Sequence, residues 1–205
     1  MSKHMQDRRH KKGHGCLGFG ITLTLCAIIV LTVLFFTTDI FDSVKYKVYG
    51  WFYPQKYSQE VEQYSREFGV DDDLVYAVIK TESGFRKEVE SYAGAVGLMQ
   101  LMPETFEWLQ DKLNDEIVYS ADSLKEPDIN IRYGTYFLSY LLERYGDEDT
   151  ACAAYNAGTT TVDEWLEDSR YSKDGRTLSE IPYKETEDYV RKVREAREMY
   201  KKIYG

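Results

Sequence analysis

The chain shows two contrasting patterns of hydrophobic and polar positions. Residues 16–36 contain no charged side chain and are rich in Leu, Ile, Val and Phe. At about 1.5 Å rise per residue, a helix of this length can cross a bilayer core of about 30 Å. Beyond residue 52, apolar residues recur at spacings of three and four, which predicts amphipathic helices. No strand pattern of any length appears, so residues 53–205 are predicted to fold as an all-α domain.

Glycine and proline mark the ends of several of these helices. Gly84 and Gly146 follow two of the apolar patterns, and Pro103 suits the first turn of another. Residues 84–101 lack a sustained period and are predicted to form a loop folded over a helix end, although weak β signals in residues 86–98 leave room for a small hairpin. The predicted helices cover residues 55–68, 74–83, 103–112, 127–145, 150–157, 162–166 and 185–203.

Glu82 lies at the end of one apolar stripe. Leu74, Val78 and Glu82 fall at positions i, i+4 and i+8, so they share one face of a helix that Gly84 ends. A carboxyl held against apolar surface has a destabilised charged form, so its pKa rises toward that of a general acid at neutral pH. The alternative for this stripe alone is a solvated acid at a fraying helix end.

The charge-free run, residues 16–36, is interpreted as an uncleaved transmembrane anchor. Residues 1–15 form a basic tail with five Lys or Arg and one Asp, so the positive-inside rule places the N-terminus in the cytoplasm and the rest of the chain outside. The alternatives are a buried soluble helix and a cleaved signal peptide, but the run is long for a signal and no small-x-small pair closes it. Residues 37–52, rich in aromatic side chains, are interpreted as a juxtamembrane linker.

Charge and cysteine content exclude several classes of protein. The net charge is −9, and since the tail contributes +4, the remaining residues carry −13. An acidic outer portion argues against nucleic acid or anionic lipid as a partner. All three histidines lie in the tail and Cys152 is far from the other two cysteines. Neither a metal site nor a disulfide within the outer domain is therefore expected.

Six sequence blocks follow one another in the order of a known family. From about residue 53 to 204 the chain resembles the catalytic domain of the soluble lytic transglycosylases, whose lysozyme-like α fold cleaves the glycan strands of peptidoglycan. Any one block is a weak signal, and six in order are a strong one. The blocks are residues 53–57, 82–85, 94–103, 130–134, 154–158 and 181–190.

The resemblance implies roles for seven residues. It makes Glu82 the catalytic acid, and it makes the others contacts to the sugar. Several have structural alternatives: Gln100 suits a side chain that ties the loop together, and Asn156 suits a cap for the turn at Gly158. Met102 and Tyr155 supply apolar surface to a sugar face, or to the core. The implied substrate-binding residues are Ser91, Gln100, Met102, Tyr155, Asn156 and Glu185.

The resemblance also implies a mechanism with one carboxyl, where glycosidases ordinarily use two. Protonated Glu82 would give its proton to the glycosidic oxygen leaving N-acetylmuramic acid. The resulting carboxylate would then take the proton of the C6 hydroxyl of that sugar, which closes on the anomeric carbon as a 1,6-anhydro ring. No metal or cofactor is required.

Two other functions remain open on the sequence. If Glu88, Glu90 or Glu104 activated water, the protein would be a hydrolytic muramidase. A membrane-tethered glycan-binding scaffold without turnover is the other alternative, although the retained acid favours an enzyme. The chain departs from the family at residues 86–88, where an Asn-Pro-like turn is usual, and at Cys152. The expected partners are peptidoglycan strands, with the catalytic domain outside the membrane and facing the wall, and the sequence identifies no protein partner.

Overall fold

The computed structural model describes residues 15–37 and 39–205, without the side chains of residues 15–20, 22, 39, 40, 42 and 43. The basic tail lies outside the described residues apart from residue 15. The chain divides into two compact units with the boundary after Tyr49, and each is described by itself.

The first unit contains α1 (Gly15–Thr37) and the greater part of α2 (Asp39–Phe52). The described apolar side chains of α1 are exposed, for example Leu31 at 66% and Phe36 at 59%. Counted over the described residues alone, no helix is both long enough and apolar enough to cross a membrane. Residues 39–52, assigned to a linker on the sequence, are helical, since no proline interrupts them and Val44 and Val48 lie one turn apart.

The second unit is built from seven α-helices within the described part of the chain, at the seven places where the sequence predicts them. The largest differences in helix ends are three residues, at the starts of α3 and α8. A short 3₁₀ helix, Ala121–Lys125, lies in the polar connection before α6. The helices are α3 (Ser58–Phe68), α4 (Asp72–Ser83), α5 (Pro103–Leu113), α6 (Pro127–Tyr145), α7 (Glu148–Ala157), α8 (Thr159–Glu167) and α9 (Lys184–Tyr204).

Helix α6 is the centre of this unit. It packs against α3, α5 and α7, while α9 packs along α4 and α7. Its buried positions fall on more than one face, including Ile131 and Tyr133, which are two positions apart and both fully buried. A helix buried on several faces organises a core rather than covering one. The all-α prediction is therefore confirmed for the described residues.

Residues 84–102 form a loop that lies on α6 between α4 and α5. A Cβ at Gly134 would stand 2.4 Å from the Met99 sulfur, so only glycine lets the loop approach α6 this closely. The weak β signals correspond to two isolated antiparallel bridges that share Val96, one to Glu90 and one to Leu101. Residues 15–37 and 39–205 contain no β-strand, so the hairpin is reduced to these bridges.

Candidate active site

Glu82 lies in the last turn of α4, where the helix meets the loop. Gly84 ends α4 in the left-handed conformation at φ 58°, and the Ser83 hydroxyl donates to Leu98 O at 2.7 Å. The loop is thereby held over the helix end. Burial raises the pKa of the Glu82 carboxyl to about 7, and a smaller opposing effect comes from the Tyr189 hydroxyl. Near neutral pH the carboxyl is thus divided between its acid and base forms.

Two tyrosines flank this carboxyl. Burial, together with the charge of Glu82, holds the pKa of Tyr155 and of Tyr189 well above the usual value, so both phenols remain protonated. The Tyr155 hydroxyl donates to Met99 O at 2.8 Å, which joins α7 to the loop. Tyr189 reaches Glu82 from α9. Two protonated phenols therefore lie beside Glu82, and no charged side chain among the described residues contributes to its raised pKa.

Asn130 fixes the inner side of the loop from the first turns of α6. Its amide nitrogen donates to Val96 O at 2.9 Å and to Leu124 O at 2.8 Å, and its oxygen accepts from Met99 N at 2.7 Å. The side chain is fully buried. A Cβ at Gly97 would stand 2.2 Å from the Asn130 nitrogen, so the loop needs glycine there. Sequence reasoning placed residue 130 in a family block but assigned it no role.

Gln100 and Ser91 hold the loop's own shape. The Gln100 amide donates to Val89 O at 3.1 Å and Gly97 O at 2.9 Å, and its backbone is left-handed at φ 48°. The Ser91 hydroxyl accepts from Ala95 N at 3.0 Å. These contacts match the loop-tying alternative for Gln100. Substrate contact by Gln100 and Ser91 stays a prediction.

Asn156, in the last turn of α7, and Glu185, in the first turn of α9, lie together. Both line a depression of about 450 Å³ between that end and the start of α9, which also includes Tyr183. The Asn156 oxygen accepts from the Thr186 hydroxyl at 2.9 Å, and Gly158 N donates to Ala154 O. Asn156 therefore ties α7 to α9, while the turn at Gly158 is closed by backbone.

Met102 precedes α5 as its N-cap residue and is half-buried. The three further carboxyls considered for water activation, Glu88, Glu90 and Glu104, are exposed. In the part of the chain that the structure describes, no three His, Cys, Asp or Glu side chains are grouped as metal ligands. Among the carboxyls at this site, Glu82 is thus the one whose pKa is raised close to neutrality by burial.

A helical domain with a partly buried carboxyl at a helix end, beside a glycine-rich loop, is typical of the lysozyme-like class. Residues 59–178 match the family described as Transglycosylase SLT domain, more than half of the chain. The chain belongs to this family. The matched residues include Glu82 and the whole loop, while Glu185 and Tyr189 of α9 lie beyond them.

Named relatives agree with this assignment. The soluble lytic murein transglycosylase of Salmonella typhimurium is 34% identical over 143 residues, which cover 69% of this chain and 22% of the relative. The membrane-bound lytic murein transglycosylase C of Haemophilus ducreyi is 28% identical over 173 residues, covering 71% of this chain and 46% of the relative.

Solved structures show the same fold. The 70 kDa soluble lytic transglycosylase of Escherichia coli superposes with a TM-score of 0.67 at 28% identity, over 75% of this chain and 25% of that protein. An inactive mutant of the lytic transglycosylase Slt from Pseudomonas aeruginosa gives a TM-score of 0.64 at 30% identity. The match covers 74% of this chain and 25% of that protein. The chain therefore spans about a quarter of the length of these proteins.

Proposed function

We propose that this protein is a peptidoglycan lytic transglycosylase that cleaves the bond between N-acetylmuramic acid and N-acetylglucosamine, leaving 1,6-anhydro-muramic ends. The observation that carries the proposal is the Glu82 pKa of about 7, raised by burial at the end of α4. A carboxyl titrating near neutrality can give a proton and take one back in a single turnover. The named transglycosylase relatives support the same reaction.

The first step is proton donation. Protonated Glu82 gives its proton to the glycosidic oxygen, the bond from that oxygen to the muramic anomeric carbon breaks, and positive charge develops on the sugar. The new carboxylate stabilises that charge electrostatically. Tyr155 and Tyr189 beside it remain neutral, so neither adds a charge of its own. Glu82 is then a base.

The second step closes the sugar on itself. The C6 oxygen of the muramic residue attacks its own anomeric carbon, and its proton passes to the Glu82 carboxylate. The carboxyl returns to its starting form, no water is consumed, and the product is a 1,6-anhydro ring. A hydrolytic muramidase would need a second carboxylate for water. The exposed positions of Glu88, Glu90 and Glu104 favour the ring closure.

The proposed substrate site is completed by six further residues, Gln100, Ser91, Met102, Tyr155, Asn156 and Glu185. Gln100 and Ser91 shape the loop above Glu82, Tyr155 supplies an apolar ring beside it, and Met102 lies where the loop enters α5. Asn156 and Glu185 offer polar groups in their shared depression, where sugar hydroxyls or amides can bond.

The test is glycan release from purified peptidoglycan by the full chain and by Glu82→Gln, with Glu88→Gln as the matched control. Release lost in Glu82→Gln and retained in Glu88→Gln supports the proposal. Undiminished release from Glu82→Gln contradicts it. No release from the unaltered chain, with glycan binding intact, would indicate a scaffold.

We also propose that residues 16–36 anchor the domain in the cell membrane, with the catalytic part facing the wall. The support is their lack of charge, the basic residues before them and the membrane-bound relatives. Replacing Leu31 and Val33, both exposed on α1, by Lys should move the full chain from the carbonate-resistant membrane pellet to the soluble fraction. Release of the unaltered chain by carbonate would contradict an anchor.

A further inference from the structure

Helix α2 presents an exposed apolar face. Its apolar side chains recur at spacings of three and four residues, the pattern of an amphipathic helix. At 3.6 residues per turn, an arc of about 100° holds Phe41, Val44, Val48, Trp51 and Phe52. Val44 and Val48 are 46% and 40% exposed, and Trp51 is 82% exposed. We call this arc the α2 apolar face, and an exposed face of this kind marks a surface that binds a partner.

Lysines border the α2 apolar face on both sides. Lys45 and Lys47 fall at opposite edges of the arc. The Lys45 nitrogen lies 5.8 Å and 6.0 Å from the ring centroids of Tyr46 and Tyr49, whose positions are outside the arc. A lysine at such an edge lays its stem along apolar surface and keeps its charge in water. An apolar arc between two lysines is typical of a helix that lies in the plane of a membrane interface.

The start of α2 indicates what covers this face. One residue separates α2 from the end of α1 at Thr37. Phe41 packs against Phe36 and Phe35, with ring centroids 4.8 Å and 5.8 Å apart. These two phenylalanines end the charge-free run of residues 16–36. The α2 apolar face therefore begins where the proposed membrane anchor ends, and the bilayer is the apolar medium nearest to it.

The charge of α2 indicates how it would bind the bilayer. The helix contains two Lys and two Asp, so these charges cancel. It therefore has no net attraction to anionic headgroups, and its affinity for the bilayer comes from apolar area. Tyr46, Tyr49 and Trp51 are residue types enriched at the level of the headgroups. The helix thus fits a lipid interface without requiring anionic lipid.

We infer that α2 is an interfacial helix, which lies in the plane of the bilayer with its apolar face among the headgroups and the upper acyl chains. An upright α2 of 14 residues would carry Phe52 about 21 Å from the surface, at about 1.5 Å per residue. An α2 in the plane keeps Phe52 at the surface, which shortens the reach of the tethered chain into the wall. This inference rests on the proposed anchor, because the bilayer lies beside α2 only if residues 16–36 span it.

The test is site-directed fluorescence of the full chain in phosphatidylcholine vesicles. Cys16 and Cys26 are replaced by Ala, and the buried Cys152 is kept. A polarity-sensitive label is attached through Val48→Cys on the apolar face or, as the matched control, through Tyr46→Cys on the opposite side of the helix. Because an interfacial helix buries its apolar face by about 5–10 Å, lipids that are spin-labelled high on the acyl chain should quench the label at position 48 about threefold more than at position 46.

Equal quenching at the two positions, with the chain still in the carbonate-resistant pellet, would overturn the interfacial helix and leave the anchor standing. Interchain disulfides in the unlabelled Val48→Cys variant after oxidation, together with weak lipid quenching, would also overturn it, because a second copy of the chain would then cover the face. Release of the unaltered chain by carbonate would remove the anchor and this inference together. Catalysis is measured separately by anhydro-sugar release, so its failure is distinguishable from all three outcomes.

Discussion

The phenol of Tyr189 lies beside the carboxyl of Glu82, one from α9 and the other from the end of α4. The Tyr189 hydroxyl is buried, and its geometry to every other described residue falls short of a full hydrogen bond. Its proximity lowers the Glu82 pKa, and the larger effect of burial raises it. A protonated phenol favours the carboxylate form, and the apolar surroundings favour the acid form. The balance leaves the Glu82 pKa at about 7.

The first prediction concerns the pH dependence of turnover. Glu82 must be protonated to begin the reaction, and with its pKa at about 7 it is largely protonated below that pH. We therefore expect kcat on purified glycan strands to fall as pH rises through about 7, measured from pH 5 to 9. The control Glu88→Gln should give the same profile. A decline already complete by about pH 5, near the ordinary range of a solvated Glu, would contradict the role of burial.

The second prediction concerns Tyr189→Phe. The ring is retained and the hydroxyl is lost, so the effect that lowers the Glu82 pKa disappears and that pKa rises further. The descending limb of the pH profile should move to higher pH. Tyr145→Phe, whose hydroxyl donates to Asp163 at 2.9 Å, is the matched control and should not move it. If Tyr189→Phe lowers kcat without moving the descending limb of the pH profile, Tyr189 has a structural role instead.

The third prediction concerns the stability cost of the Glu82 carboxyl. Because its folded pKa of about 7 exceeds the ordinary 4.5, the folded state binds the proton more tightly than the unfolded state. The free energy of unfolding should therefore fall as pH rises from about 4.5 through about 7. The folded and unfolded pKa values differ by about 2.5, so at about 1.4 kcal/mol for each pK unit the loss is on the order of 3–4 kcal/mol.

Glu82→Gln removes this titration, so the variant should gain stability over the unaltered chain by that amount at pH 8 and by little at pH 4. Urea unfolding at the two pH values measures it. A gain in the free energy of unfolding of the same size at both pH values would mean that Gln packs better than Glu at position 82, independently of ionisation.

The fourth prediction concerns Asn130→Ala. The substitution leaves Leu124 O and Met99 N without the Asn130 side chain as their partner at a fully buried position, and leaves Val96 O with its bond from Leu101 N. We expect a loss of about 3 kcal/mol in the free energy of unfolding, together with loosening of the loop over Glu82. Gln59→Ala, on the exposed surface of α3, should change stability by less than about 0.5 kcal/mol. Equal stability of the two variants would contradict the anchoring role of Asn130.

Much of the helical framework follows from local signals. The apolar spacing of three and four, with Gly84, Gly146 and Pro103 at helix ends, predicts seven helices, because these signals act within one or two turns. Glu82 is found in the same way, since the apolar stripe before it and the glycine after it are local.

The rest of the site depends on contacts between distant parts of the chain. Asn130 reaches Met99 across 31 residues, and Tyr155 reaches the same residue across 56. Tyr189 meets Glu82 from a helix more than a hundred positions later. No periodic pattern encodes such pairs. The sequence left two roles open for Gln100, a sugar contact implied by the resemblance and a tie within the loop; its amide bonds to the loop, and the sugar contact stays a prediction.

The most direct test of the single-carboxyl mechanism is digestion of purified peptidoglycan by the full chain in ¹⁸O-labelled water, followed by mass spectrometry of the muramic ends. Ring closure by the C6 hydroxyl consumes no water, so we expect anhydro ends that carry no label, and none from Glu82→Gln. Muramic ends that are reducing, labelled and heavier by one water would contradict the mechanism. They would make the protein a hydrolase and direct attention to Glu88, Glu90 and Glu104.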